Sequence, residues 1–147
     1  MRISTKGRYG IRALIDLASH GGCVSLKSVA ERQGLSENYL ERLIASLKKA
    51  GFVKSVRGAQ GGYVLDRRPE DISVAEILRS LEGPLYPADC LSDDENESCG
   101  TAVCEQCVML PVWRKIYYRI NDVIESISLS DLLDDYKALE MGRKAGV

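Results

Sequence analysis

The sequence predicts a mostly α chain with one small β-hairpin: a winged helix-turn-helix domain followed by a long dimerisation helix. Three observations carry that prediction. Two short helical segments meet across a tight turn at Gly34. Directly after the second, two strand-like runs flank the Gly-rich stretch Gly58-Ala59-Gln60-Gly61-Gly62. An apolar stripe at helical spacing then runs from Trp113 to Ile127, too apolar to leave wet. With 147 residues and 45% hydrophobic content, the chain can build one domain with a real core, or a small domain plus an oligomerisation element. The expected boundaries are a winged helix-turn-helix domain over 1–83 and a cysteine-rich loop over 84–108. The dimerisation helix and a short last helix follow over 109–136, and a flexible tail over 137–147.

Ile11, Leu14, Ile15 and Ala18 follow the i, i+3, i+4, i+7 pattern, so a helix opens the chain. Arg2, Lys6, Arg8 and Arg12 surround its start, either as an ordinary solvated face or as phosphate contacts. His20-Gly21-Gly22-Cys23 breaks it. His20 is the single histidine and has no second ligand type nearby in sequence, which points away from a metal role. Cys23 reads as a small, partly buried hydrophobe, with a redox-active thiol as the alternative. Ser25 can cap a short helix carrying Leu26, Val29 and Ala30, which ends at Gly34. Ser36 can cap the next, about Ser36 to Ala50, whose buried stripe is Leu40, Leu43, Ile44 and Leu47.

At about 100° per residue, Asn38, Arg42, Ala45 and Lys49 lie opposite that stripe, with Glu41 on the flank. Arg42 can donate two hydrogen bonds to guanine, Asn38 can pair with adenine, and Glu41 can accept from cytosine. Lys48 and Lys49 sit where phosphates would pass. Alone, this helix could equally show its polar face to water. The segment after it shifts the balance. Phe52 to Arg57 and Tyr63 to Leu65 read as the strands of a hairpin, and a hairpin straight after a helix-turn-helix is a wing. Arg57 at the base of the Gly-rich tip, with Gln60 inside it, is placed for the minor groove. Charge agrees. Residues 1–70 hold 13 Lys+Arg against 6 Asp+Glu (+7), residues 71–147 hold 7 against 15 (−8), and the whole chain is −1. Double-stranded DNA is therefore the expected partner of the first half.

Ser73-Val74-Ala75-Glu76 is a capping box opening a helix with Val74, Ile77, Leu78 and Leu81 inward, closed by Gly83-Pro84. Pro111 can occupy the first turn of the long helix. There Trp113, Ile116, Tyr117, Ile120, Ile124 and Ile127 share a face, with Val123 beside them. A second copy of that helix is its expected cover, and a monomeric core the alternative. Ser128 or Ser130 caps a short helix to Tyr136, and Lys137 to Val147 reads as a polar tail.

Between these helices lies Cys90-x8-Cys99-x4-Cys104-x2-Cys107, four of the five cysteines, among Asp89, Asp93, Asp94, Glu95, Glu97 and Glu105. So acidic a segment cannot order itself by burial. Four thiolates on zinc or on an iron–sulfur core would supply the ordering energy, and the spacing does not separate the two. Disulfides or idle thiols are the other readings. Nothing at the N-terminus reads as a secretion signal, so a reducing, cytoplasmic compartment is expected, which disfavours disulfides. No apolar run approaches a membrane span. Nucleophile–base pairs and phosphate-cradling loops are absent from the pattern, so an enzyme is not expected.

The opening Met1-Arg2-Ile3-Ser4-Thr5-Lys6-Gly7-Arg8-Tyr9-Gly10, the Tyr39-Leu40-Glu41 of the second helix and the wing Ser55-Val56-Arg57-Gly58-Ala59-Gln60-Gly61-Gly62-Tyr63 resemble the bacterial iron–sulfur regulators of the IscR type. So do Trp113-Arg114 and Ile127-Ser128-Leu129, and the resemblance covers nearly the whole chain. NsrR, RirA and CymR are relatives. The resemblance implies a homodimeric winged-helix transcription factor. Its cluster state tunes operator affinity, controlling iron–sulfur biogenesis or iron and redox genes.

By position, Cys90, Cys99 and Cys104 take the places of three ligating cysteines, and Cys107 stands where IscR proteins carry a ligating histidine. All-thiolate ligation adds negative charge and lowers the reduction potential relative to a histidine-ligated form. It leaves 2Fe–2S and 4Fe–4S both open. Some relatives draw a fourth ligand from near the partner subunit's N-terminus. Here that region offers Arg8, which cannot ligate, so Cys107 is the expected fourth. Arg57 falls at the wing arginine, Glu41 at a glutamate that helps choose between operator classes, and Asn38, Tyr39 and Arg42 at further contacts. The implied DNA-binding set is Arg2, Lys6, Asn38, Tyr39, Glu41, Arg42, Lys49, Arg57 and Gln60. The rival readings are a structural zinc, or a metal-free thiol switch of the CymR type.

Overall fold

The computed structural model describes residues 1–92 and 106–146. Of the candidate ligands, Cys99 and Cys104 lie outside the described residues. The elements in order are α1 (Thr5–His20), α2 (Leu26–Gln33), α3 (Glu37–Lys49), β1 (Val53–Val56), β2 (Gly62–Leu65), α4 (Val74–Glu82), α5 (Leu110–Ser126) and α6 (Leu129–Ala145).

Helix α1 is the hub, touching α2, α3, α4, α6 and β2. Because it is enclosed from several directions, its buried arc is wider than a surface stripe and turned from the expected one. Gly10, Ala13, Leu14, Asp16 and Leu17 are buried, while Ile11, Ile15 and Ala18 are half-buried. A side chain at Gly10 would strike Leu81 of α4, so glycine there sets how closely the two helices cross.

The helix-turn-helix closes as the capping residues dictate. Gly34 takes the left-handed conformation (φ 65°), its N–H reaching Glu31 O (3.3 Å) and Leu35 N–H reaching Ala30 O (3.0 Å). Ser36 then accepts the Tyr39 N–H at 3.2 Å and starts α3, which buries Leu40, Leu43, Ile44 and Leu47. The strands β1 and β2 pair antiparallel from Val53↔Leu65 to Val56↔Gly62. A second ladder fastens this wing to the segment before α2: Val24 N donates to Tyr63 O (3.0 Å) and Tyr63 N to Val24 O (2.8 Å).

The capping box at Ser73 and Glu76 forms in both directions. α4 buries Val74, Ala75, Ile77, Leu78 and Leu81. The largest difference from expectation is α6. It was expected to end near Tyr136, yet it continues to Ala145 through Lys137-Ala138-Leu139-Glu140-Met141, all strong helix formers. Its start is stitched into the winged domain by Val74 N to Ile127 O (2.9 Å) and Leu129 N to Ile72 O (2.8 Å), and Leu129 is fully buried. α6 thus returns to the head, and its last turns take up most of the stretch 137–147 that was expected to be a tail. Among the described residues, no helix is long and apolar enough to cross a membrane.

Candidate nucleic-acid interface and cysteine site

On α3, Asn38, Glu41, Arg42 and Lys49 are exposed, as their position opposite the buried stripe dictates. Arg57 and Gln60 are exposed at the wing tip, and Arg2 and Lys6 at the start of α1. The ion pairs of this half of the chain join Asp16 to Arg32 and His20, Lys54 to Asp66, Arg67 to Glu76 and Arg68 to Asp71. Among the described residues, Arg2, Lys6, Arg8, Arg42, Lys49 and Arg57 form none.

Two contacts tie together the elements that carry these cations. Tyr9 of α1 meets Tyr39 of α3 edge-on (centroids 6.2 Å apart, 82°), which sets the basic start of α1 beside the start of α3. Lys48 Nζ donates to Ser55 Oγ (3.0 Å), tying the end of α3 to the wing. Tyr39 is half-buried, its ring packed against the core, so less of it faces outward than of its neighbours. Arg12 lies over the Tyr9 ring at 5.2 Å. The start of α1 is not a free anion site. Glu82 Oε1 accepts from Ser4 N (2.8 Å), Ser4 Oγ (2.7 Å) and Gly7 N (3.1 Å), so these donors are already taken.

The sequence reading missed the tie that seats α2. Asp16, only 5% exposed, receives Arg32 Nε at 3.0 Å, Arg32 Nη2 at 2.6 Å and Gln33 Nε2 at 3.0 Å. This bidentate fork raises the Arg32 pKa above its ordinary value, chiefly through the hydrogen bonds to Asp16. The available signal was an acid set among Ala13, Leu14 and Leu17. His20 Nδ1 contacts Asp16 O (2.7 Å) and Ser19 Oγ (3.1 Å) at the end of its own helix. Cys23 follows the exposed Gly21-Gly22 turn and is itself exposed rather than partly buried.

Cys90 and Cys107 are half-buried free thiols. Cys90 sits in a short 3-10 turn (Asp89–Leu91), in a cleft of about 340 Å³ lined also by Tyr86, Arg114, Tyr117 and Tyr118. Cys107 accepts the Leu110 N–H through its carbonyl (3.1 Å), at the base of α5. Among the described residues no three His, Cys, Asp or Glu side chains gather as a metal site, and Cys99 and Cys104 lie outside the residues described. The pair that is described fits a thiophilic ion or cluster. Both are soft donors, neither is taken up in a disulfide, and one stands at each end of the acidic segment.

α5 itself buries only Asn121. Of the expected stripe, Ile116 is exposed, as is Val123 beside it, while Trp113, Tyr117, Ile120, Ile124 and Ile127 are half-buried, so the described chain covers the stripe only in part.

The sequence profile of a family described as Rrf2, an iron-dependent transcriptional regulator, matches residues 3–135. The chain is 42% identical over 146 residues to the HTH-type transcriptional regulator CymR of Bacillus subtilis, covering 98% of this chain and 95% of that protein. The solved structure of that CymR, called there the global cysteine regulator, superposes with a TM-score of 0.74 over 91% of this chain and 97% of its own. The IscR of T. potens is 51% identical, with a TM-score of 0.70 over 92% of this chain and 88% of its own.

Proposed function

Because the chain belongs to the Rrf2 family of transcriptional regulators, which are not enzymes, we propose a specific reading within it. The protein is a cytoplasmic homodimer on a double-stranded DNA operator, and an iron–sulfur cluster on Cys90, Cys99, Cys104 and Cys107 sets its affinity. Arg42, Asn38 and Glu41 read base edges, Arg57 with Gln60 enters the minor groove, and Arg2, Lys6 and Lys49 hold phosphates, with Tyr39 supporting them. The observation that carries the cluster reading is the pair of free, half-buried thiols at the two ends of the acidic segment, one of them at the base of α5. The family's iron-dependent description and the 51% identity to an IscR support it.

When bound, such a cluster supplies four metal–sulfur bonds that join the two ends of the segment. Cys90 and Cys107 then hold a fixed separation, and the start of α5 is fixed against the turn that carries Cys90. A dimer reading DNA needs its recognition helices about 34 Å apart, one duplex turn, so fixing α5 fixes the grip. Equal hydrogen-exchange protection at the base of α5 with and without cofactor would count against this step.

The 42% identity to a regulator described by its role with cysteine favours a second reading, in which the thiols hold zinc or no metal. Purification without air separates the readings. Colour with acid-labile sulfide supports the cluster, stoichiometric zinc in a colourless protein supports a structural ion, and neither supports a thiol switch.

A further inference from the structure

The joint between the winged head and α5 is built around a polar contact. Arg79 Nη2 of α4 donates to Asn121 Oδ1 and to Glu125 Oε1, both at 2.5 Å. Asn121, 8% exposed, is the one buried residue of α5, and its Nδ2 donates back to Tyr117 O (2.8 Å), which aims Oδ1 at Arg79. Around it, Ile124 and Ile127 pack on Val74, Leu78 and Leu85.

Apolar packing of this kind is non-directional and tolerates rotation. A guanidinium nitrogen held between an oriented amide oxygen and a carboxylate does not. A buried asparagine in an otherwise apolar contact costs stability and is best accounted for by the geometry it selects.

We propose that Arg79, Asn121 and Glu125 form a directional clamp that fixes the angle between the head and α5. The clamp thereby sets the spacing of operator half-sites that the dimer accepts. The three are positioning residues, and the proposal rests on the homodimeric reading. The lever is long enough. From Asn121 to Leu110 α5 extends about 16 Å, so a turn of about 10° at the clamp moves its far end by about 3 Å. That is close to the rise of one base pair, about 3.4 Å, and a two-fold axis doubles the effect.

The test uses an operator selected from random DNA and versions of it with the spacer changed by one or two base pairs, with mass followed by light scattering. Wild type is expected to be dimeric and to prefer one spacing by about tenfold or more. Arg79→Met and Asn121→Leu are expected to remain dimeric, to bind non-specific DNA as wild type does, and to flatten that preference to within about threefold. Arg79→Lys is expected to restore part of it. Glu125→Ala, on the exposed side of the clamp, is expected to reduce the preference by about threefold. Clamp variants that keep the full preference, in a protein whose wild type is dimeric and spacing-selective, overturn the clamp alone. A monomeric wild type, or one indifferent to spacing, overturns the dimer reading and the clamp with it.

Discussion

Replacing Asp16 by alanine removes the acceptor of three hydrogen bonds and leaves Arg32 and Gln33 without their partner at the α1–α2 contact. Breaking a fully buried ion pair costs about 3–5 kcal/mol. The Asp16 side chain is 4% exposed but that of Arg32 is 36% exposed, so the arginine recovers part of its hydration and the expected loss is about 2–3 kcal/mol. With a urea slope of about 2 kcal/mol/M, the unfolding midpoint should fall by about 1 M or slightly more. Asp16→Asn keeps the shape and one acceptor and should fall between. In a double-mutant cycle with Arg32→Ala, the two losses should overlap by at least about 1 kcal/mol. Equilibrium unfolding followed by circular dichroism reads these values directly. A midpoint shift below about 0.3 M, or strictly additive losses, would refute the claim that this pair seats the first helix of the helix-turn-helix.

Arg42→Ala should weaken operator binding by about 1–3 kcal/mol and relax specificity at one base position, whereas Lys49→Ala should weaken all DNA alike and lower the salt slope by about 1; a binding titration over salt with randomised sites distinguishes them. The Glu76 carboxyl is held below its usual range, first by the Ser73 N–H and further by Arg67. Its contribution is therefore complete above the ordinary carboxylate range and lost as pH falls through the lowered folded value. Glu76→Gln should shrink the drop in Tm between about pH 6 and pH 3, and an unchanged drop would argue against the cap as a source of acid sensitivity. Cys107→His should leave a cluster in place but raise its reduction potential, since a neutral imidazole replaces a thiolate; an unshifted potential by voltammetry would remove Cys107 from the ligand set.

What was legible in the sequence was whatever announces itself locally. Ser25, Gly34 and Ser36 mark three helix boundaries within twelve positions, and each does its expected job by hydrogen bonding to backbone a few residues away. The exposure of Asn38, Glu41 and Arg42 on α3 followed from the same periodicity that buries Leu40 and Leu43. What was not legible depends on partners far along the chain. The bonds from Arg32 to Asp16 span 16 positions and the bond from Arg79 to Asn121 spans 42, and no periodicity connects such residues. The rotation of the α1 arc has the same origin, because α4 and α6 cover a side of the helix that its own sequence marks as peripheral. The length of α6 was underestimated because its last turns are polar, and polarity was read as tail although every residue from Lys137 to Met141 favours helix.

The most direct measurement is operator affinity for one preparation, made without air, before and after removal of its cofactor, at one fixed salt concentration near 150 mM. A sulfide-containing protein that loses about tenfold or more in affinity on stripping, with Cys99→Ser behaving like the stripped form, is the predicted result. Affinity unchanged by stripping, or a protein without inorganic sulfide that grips its operator as tightly as ever, would contradict it.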